Sequence, residues 1–399
     1  MTYALGIYGS MLTRAQKHVL EMTHRKVLLQ ITGAYRTTPY TSLCKIADIP
    51  PFEHLIEYHV NLSTCLNGNL SLLDLPRDRP LENKSSLSLS SRAENVIPIT
   101  KIHPPDAPTE TTFIAYTDGS KTTDGVGFGL VIYDNSGKIK HQASLPLFSY
   151  ASIFQAECLA IIRTLELINS RICKAGESVH IFTDSQSIFT CLRSRLIQHP
   201  LIEQIREQII TTINKGIRIN ISWTKAHVGT IGNEKADQLA KAGIRAKTKI
   251  NYVDVPRCFV KHQLKALAKT NTNKRLALNE SKSIIPVLGN WNKDPYKLNL
   301  AKQTFQLISG HGPFPSYLKR FGLKEDEACL CGEPTANATH YLDDCPLVDQ
   351  ARTHFRIQTD VRDVKPSKFI GHQLNNDTEA INKFCKEVIR IIRKEGINR

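Results

Sequence analysis

The chain's 399 residues carry 52 lysines and arginines against 37 acids, a net charge of +15, with 41% hydrophobic and 22% charged side chains. These fractions are those of ordinary globular protein, and the length allows two or three domains with separate cores. No stretch approaches the ~18 consecutive apolar residues of a membrane helix, and the N-terminus lacks a secretory pattern, so no membrane partner is expected. The ten cysteines are thinly spread, which predicts reduced thiols and an intracellular location, with nucleus and cytoplasm undecided. The basic excess favours a polyanionic partner, nucleic acid first.

Residues 1 to about 60 read as helical. From Arg14 to Thr32 apolar residues form one stripe and basic residues another, and Gly33 is a natural stop. Shorter helices are expected over Thr41–Ile46 and Phe52–Leu62. From Leu75 to Thr112 the run of Pro, Ser and charged residues has no sustained period and reads as a linker.

Residues 113 to about 245 alternate more regularly. Phe113-Ile-Ala-Tyr-Thr-Asp118 is a strand pattern expected to end at the glycine turn of Gly119, with Asp118 its last residue. Strands over 126–133 and 138–147 follow, separated by the turn signals Asp124-Gly125 and Asn135-Ser-Gly137. Then come helix 152–169, strand 178–183, helices 185–195 and 201–215, strand 217–224, a glycine-bearing loop and helix 233–243. A meander followed by strand–helix alternation predicts an α/β fold, a mixed sheet flanked by helices.

Four acids fall on separate elements of that unit: Asp118 at a strand end, Glu157 early in a helix, Asp184 after a strand, and Asp237 on the last helix, four residues after Asn233. Singly, each could be a cap or a solvated charge. Together, crowded carboxylates repel, and divalent cations remove that repulsion. Hard oxygen ligands select Mg²⁺ or Mn²⁺, and a pair of such ions suits phosphodiester hydrolysis. His227, in a loop with two glycines, suits proton transfer near neutral pH.

Tyr116-Thr-Asp118-Gly-Ser, the Glu157 helix, Phe182-Thr-Asp184-Ser and Trp223-Thr-Lys-Ala-His227-Val-Gly-Thr-Ile-Gly-Asn233-Glu-Lys-Ala-Asp237 resemble the ribonuclease H family in order. The resemblance implies a five-stranded mixed sheet of order 3-2-1-4-5. It also implies hydrolysis of the RNA strand of RNA–DNA hybrids with two Mg²⁺ or Mn²⁺ ions. Asp118, Glu157, Asp184 and Asp237 match the metal-binding acids, and His227 matches the loop histidine.

Cys329, Cys331, His340 and Cys345 form Cys-X-Cys-X8-His-X4-Cys. Three thiolates and an imidazole suit a closed, structural Zn²⁺ site. Unliganded cysteines are the alternative, because the first spacing is shorter than the usual Cys-X2-Cys. The cluster resembles the motif that follows the ribonuclease H domain in jockey-type non-LTR retrotransposon polyproteins. Arg25 to Leu43 and Ala47 to Glu57 resemble the segment after a reverse transcriptase palm. Tyr341-Leu-Asp343-Asp344 imitates a polymerase signature, but polymerase activity is not expected, since too few residues precede the linker for fingers and palm.

The expected organisation is a helical block at 1–74, a linker at 75–110, a ribonuclease H domain at 111–245, a basic helical region at 246–320, and a Cys/His region with a basic helix at 321–399. The expected function is an RNA–DNA hybrid endoribonuclease from a retrotransposon polyprotein, whose remainder is a possible partner. Two alternatives stand beside it: a catalytically silent nucleic-acid-binding module, and a transposon-derived host protein of interaction type.

Overall fold

The computed structural model describes residues 4–47, 49–76, 79–82, 99–100, 111–194, 199–225, 229–248, 252, 254–278, 300–360, 364–373 and 377–397. It divides into two units, 64–263 and 1–63 with 264–399.

Alternating β-branched and aromatic residues build the sheet of the 64–263 unit. Its strands are β1 (Ile99–Thr100), β2 (Phe113–Thr122), β3 (Gly125–Asp134), β4 (Ile139–Leu147), β5 (Ser178–Thr183) and β6 (Arg218–Trp223). They lie in the order β1-β6-β5-β2-β3-β4. Counted from β2 as the first, the five longer strands run 3-2-1-4-5, the order expected of a ribonuclease H-like fold. Strand β2 pairs parallel with β5 and antiparallel with β3.

Two details differ from expectation. Strand β2 does not stop at Gly119: residues 119–122 pair antiparallel with 125–128, so the turn falls at Thr123-Asp124. What ends at Thr117 is only the parallel pairing with β5. In addition, β1 joins β6 as a short parallel edge strand. It comes from the stretch expected as a linker. A two-residue strand in a Pro- and Ser-rich context carries no periodicity to read.

Helices cover both faces: α1 (Ile153–Leu167), α2 (Gln186–Arg193), α3 (Pro200–Asn214) and α4 (Ile231–Ile244). Helix α1 starts with a capping box in which Ser152 and Gln155 bond each other's backbone N–H. On one face Ala115, Leu130, Ile181 and Ile221 pack against Ile161 and Leu165 of α1 and Ile205 of α3. Each such buried aliphatic contributes roughly 1.5–3 kcal/mol. On the other face α4 packs through Ala236 against Tyr116, Val131 and Phe182.

That second contact is unusually close. A Cβ at Gly129 would lie 2.4 Å from the Ala240 nitrogen, and one at Gly127 would lie 2.5 Å from the Ile244 nitrogen. Only glycine lets the two main chains meet there.

The second unit is helical. Arg14–Thr32 is opened by a Thr13–Gln16 capping box and closed by Gly33 at φ +59°. The C-terminal part holds Lys302–Ser309, Pro315–Arg320, Ala338–Asp343, Asp349–Thr359, Pro366–Gln373 and Thr378–Ile397. Phe305, Phe314, Leu342, Phe355, Phe384 and Ile389 are among its core residues. The Tyr341-Leu-Asp-Asp tetrapeptide has a structural use here. Asp343 accepts the Ser367 N–H at 2.9 Å and its hydroxyl at 2.6 Å, and Asp344 pairs with Lys365 at 3.2 Å.

Gly129→Ala is expected to destabilise the 64–263 unit by about 3 kcal/mol, because neither backbone can yield locally. Thermal unfolding of the purified protein reads the loss, and an unchanged transition would contradict the close contact.

Candidate active site

Register brings the first two acids together. Thr117 pairs with Thr183 across the parallel β2–β5 ladder. Asp118 and Asp184 directly follow that last pair, where the neighbouring chains are about 4.8 Å apart. Glu157 reaches them from the second turn of α1. A Cβ at Gly119 would lie 2.8 Å from the Glu157 nitrogen, so the bare glycine lets α1 settle against the strand beside Asp118.

Carboxylate oxygens of Asp118, Glu157 and Asp184 all lie within 4.8 Å of one another. Asp118 and Glu157 are buried, and Asp184 is half-buried. Asn233 on α4 donates from Nδ2 to Asp184 Oδ2 at 3.4 Å, and the Trp223 indole donates to the Asp184 carbonyl at 3.0 Å.

The electrostatics follow from this crowding. Burial first, then Asp184 and Asp237, push Asp118 up to about 7. Burial, then Asp118 and Asp184, raise Glu157 well above the usual carboxylate range. Glu157 Oε2 and Asn233 Oδ1 are buried without a hydrogen-bond partner among the described residues. Three convergent carboxylates with an orphaned buried oxygen fit a hard divalent cation, which would lift both the repulsion and the unmet polar demand.

Asp237 stands apart from the three. It is half-exposed, and its Oδ2 takes a hydrogen bond from Lys241 Nζ at 2.7 Å. Its effect on Asp118 is through charge. His227 lies outside the described residues. The tie from Asn233 to Asp184 has no mark in the sequence beyond the four-residue spacing that puts Asn233 and Asp237 on one face of a helix.

The Cys/His residues also converge. Ligand atoms of Cys329, Cys331, His340 and Cys345 lie within 4.8 Å of one another. Cys329 and Cys331 sit on a tight turn in which the Gly332 N–H bonds the Cys329 carbonyl at 3.1 Å. His340 is in a helix capped by Asn337, which accepts the His340 N–H at 2.9 Å. The buried Arg352 guanidinium holds the Cys345 carbonyl at 2.9 Å. The Cys329 and Cys345 sulfurs are 3.7 Å apart, and Cys331 Sγ is 3.4 Å from His340 Nε2. Ligands on one tetrahedral zinc would sit about 3.8 Å (S to S) and about 3.6 Å (S to N) apart.

Residues 110–245 match the family model for RNase H. Over 246 residues, 60% of this chain and 95% of the relative, the chain is 27% identical to the "Retrovirus-related Pol polyprotein from type-1 retrotransposable element R1" of Popillia japonica. Among solved structures, RNase H1 of Halobacterium salinarum NRC-1 is 21% identical, covering 33% of this chain and 97% of that one at a TM-score of 0.28. LC11-RNase H1 in complex with an RNA/DNA hybrid is 22% identical, covering 33% and 96% at 0.29.

The raised Asp118 predicts a pH-dependent stability for metal-free protein. The folded state keeps the proton up to about 7, whereas the unfolded carboxyl loses it near 3.8. The folded state thus holds more protons inside that window, and stability falls as pH rises through it. In EDTA the unfolding temperature should fall across the window, Asp118→Asn should remove part of the slope, and Mg²⁺ should flatten it. An identical slope in the variant would contradict the placement of Asp118.

Proposed function

We propose that the RNase H domain at residues 110–245 hydrolyses the RNA strand of RNA–DNA hybrids, leaving 3′-hydroxyl and 5′-phosphate ends. The observation that carries this reading is the convergence of Asp118, Glu157 and Asp184 within 4.8 Å in a buried, mutually repelling cluster. Bound there, two Mg²⁺ or Mn²⁺ ions would supply an activated water and stabilise the leaving oxygen.

The side chains do the holding and orienting. Asp118 and Asp184, placed by strand register, lie beside Glu157, and all three would hold the cations. Asn233 steadies Asp184 through its amide. Asp237 would add a ligand for one cation if the Lys241 ammonium turned away, which an exposed lysine does at little cost. His227 takes part in proton transfer or product release. The +15 net charge supports phosphate contacts, with binding that weakens as salt rises. The match to an R1 polyprotein supports an origin in a retrotransposon.

Cys329, Cys331, His340 and Cys345 hold one structural Zn²⁺ in this reading. The two inter-ligand distances and the Arg352 anchor support it.

One observation favours the silent-module alternative: Asp237 is paired with Lys241 rather than gathered with the other acids. A single assay separates the two. Purified protein with Mg²⁺ should cut the RNA of a matched hybrid and spare double-stranded DNA, and EDTA should stop it. Asp184→Asn should lower the rate by about two to three orders of magnitude. Wild-type protein that binds hybrid without cutting it would make the silent module the correct reading. Metal analysis should find one zinc per chain, lost in Cys331→Ser, and a zinc-free native protein would remove the zinc assignment.

A further inference from the structure

The helix that carries Glu157 begins at a buried polar junction, and half of that junction comes from outside the family match. Gln155, two residues before Glu157, is completely buried. Its side-chain oxygen caps the helix by accepting the Ser152 N–H at 2.9 Å. Its Nε2 donates to Glu82 Oε1 at 2.8 Å and lies 3.4 Å from both the Asp254 carbonyl and the Tyr252 hydroxyl.

Glu82 is 5% exposed. The same Oε1 also accepts from the Tyr252 hydroxyl at 3.3 Å and meets His199 Nε2 at 3.2 Å. His199 Nδ1 accepts the Leu201 N–H at 3.3 Å, so Nε2 is the nitrogen that carries the proton toward Glu82. The two flanks are stitched together by main chain: Val255 N–H bonds the Pro80 carbonyl at 2.8 Å, and Glu82 N–H bonds the Val255 carbonyl at 3.0 Å. Arg79 lies over the Phe148 ring at 4.3 Å.

A carboxylate so deeply buried, with three donors on one oxygen, is a strong and directional anchor. It is anchored to the first turn of α1, the turn that leads into Glu157. Glu157 in turn lies within 4.8 Å of Asp118 and Asp184, so a small shift of α1 would change its distance to both.

We propose that Glu82, Gln155 and Tyr252 are positioning residues: a clasp, closed by residues 79–82, Tyr252 and 254–255, that holds Glu157 against the other two acids and thereby sets the affinity of the site for divalent cations. The clasp rests on the reading of the three acids as a cation site. Polar groups that orient a metal ligand from behind are worth about 10–100-fold in metal affinity.

The test uses the full chain, with Mg²⁺ alone as the calorimetric titrant and hybrid cleavage measured in parallel. Glu82→Ala should weaken Mg²⁺ binding about tenfold. The Mg²⁺ concentration for half-maximal cleavage should move by the same factor, with the hybrid KM at saturating Mg²⁺ unchanged. Glu82→Gln keeps an oxygen for Gln155 and Tyr252 and should restore the affinity.

A clasp that served stability alone would lower the unfolding temperature and leave Mg²⁺ affinity untouched, which would overturn the proposal. If Glu82→Ala does not fold, Tyr252→Phe decides: weakened Mg²⁺ binding supports the clasp, and wild-type binding overturns it. Wild-type protein that neither takes up Mg²⁺ nor cleaves hybrid overturns the site reading and the clasp with it. Normal wild-type behaviour with an unaltered Glu82→Ala removes the clasp alone.

Discussion

Three carboxylates held within 4.8 Å of one another, two of them buried, set the constraint that the scaffold around them has to meet. Like charges in a low dielectric repel by several kcal/mol unless protons or cations intervene. A scaffold that tolerates such a cluster has to be rigid on every side of it. Here rigidity comes from three devices. The parallel ladder sets Asp118 beside Asp184. The bare backbone at Gly119 admits the Glu157 helix. The Gln155 junction secures the start of that helix. None is a bond to the carboxylates' charge; each fixes the backbone from which they project.

Asp118, Glu157 and Asp184 each stand beside a short pattern that the sequence displays. Asp118 and Asp184 follow β-branched and aromatic alternation, and Glu157 stands one turn after a Ser–Gln capping box, a start signal that sequence displays openly. The strand order was legible only through the family resemblance, since register between distant strands leaves no local mark. The end of β2 was misplaced because Gly119 has two roles that look alike in sequence: a turn residue and a point of close helix approach. The actual turn is Thr123-Asp124, between the paired Thr122 and Gly125.

Other features could not be read at all. Glu82 and Tyr252 meet across 170 positions of chain, and nothing in Arg-Pro-Leu-Glu or in the residues around Tyr252 forecasts a shared buried carboxylate. The ion pair between Asp237 and Lys241 is the reverse case. Its i,i+4 spacing on a helix is plain in sequence, yet its consequence, an acid held away from its three companions, depends on where the helix lies. The Cys/His cluster was legible by spacing. Its geometry depends on Arg352, whose guanidinium reaches three backbone carbonyls of the 341–345 segment and could not have been singled out beforehand.

The seam between α4 and β3 has one more implication. Interfaces made of side chains creep: exchange a leucine for a methionine and the helix above shifts slightly, and over many exchanges its perch wanders. At Gly127 and Gly129 there is no side chain to exchange, and main chain rests on main chain. At these two positions the platform that presents Asn233 and Asp237 rests on a strand that offers no side chain to alter. The height of that helix above the cleft is set there by backbone alone.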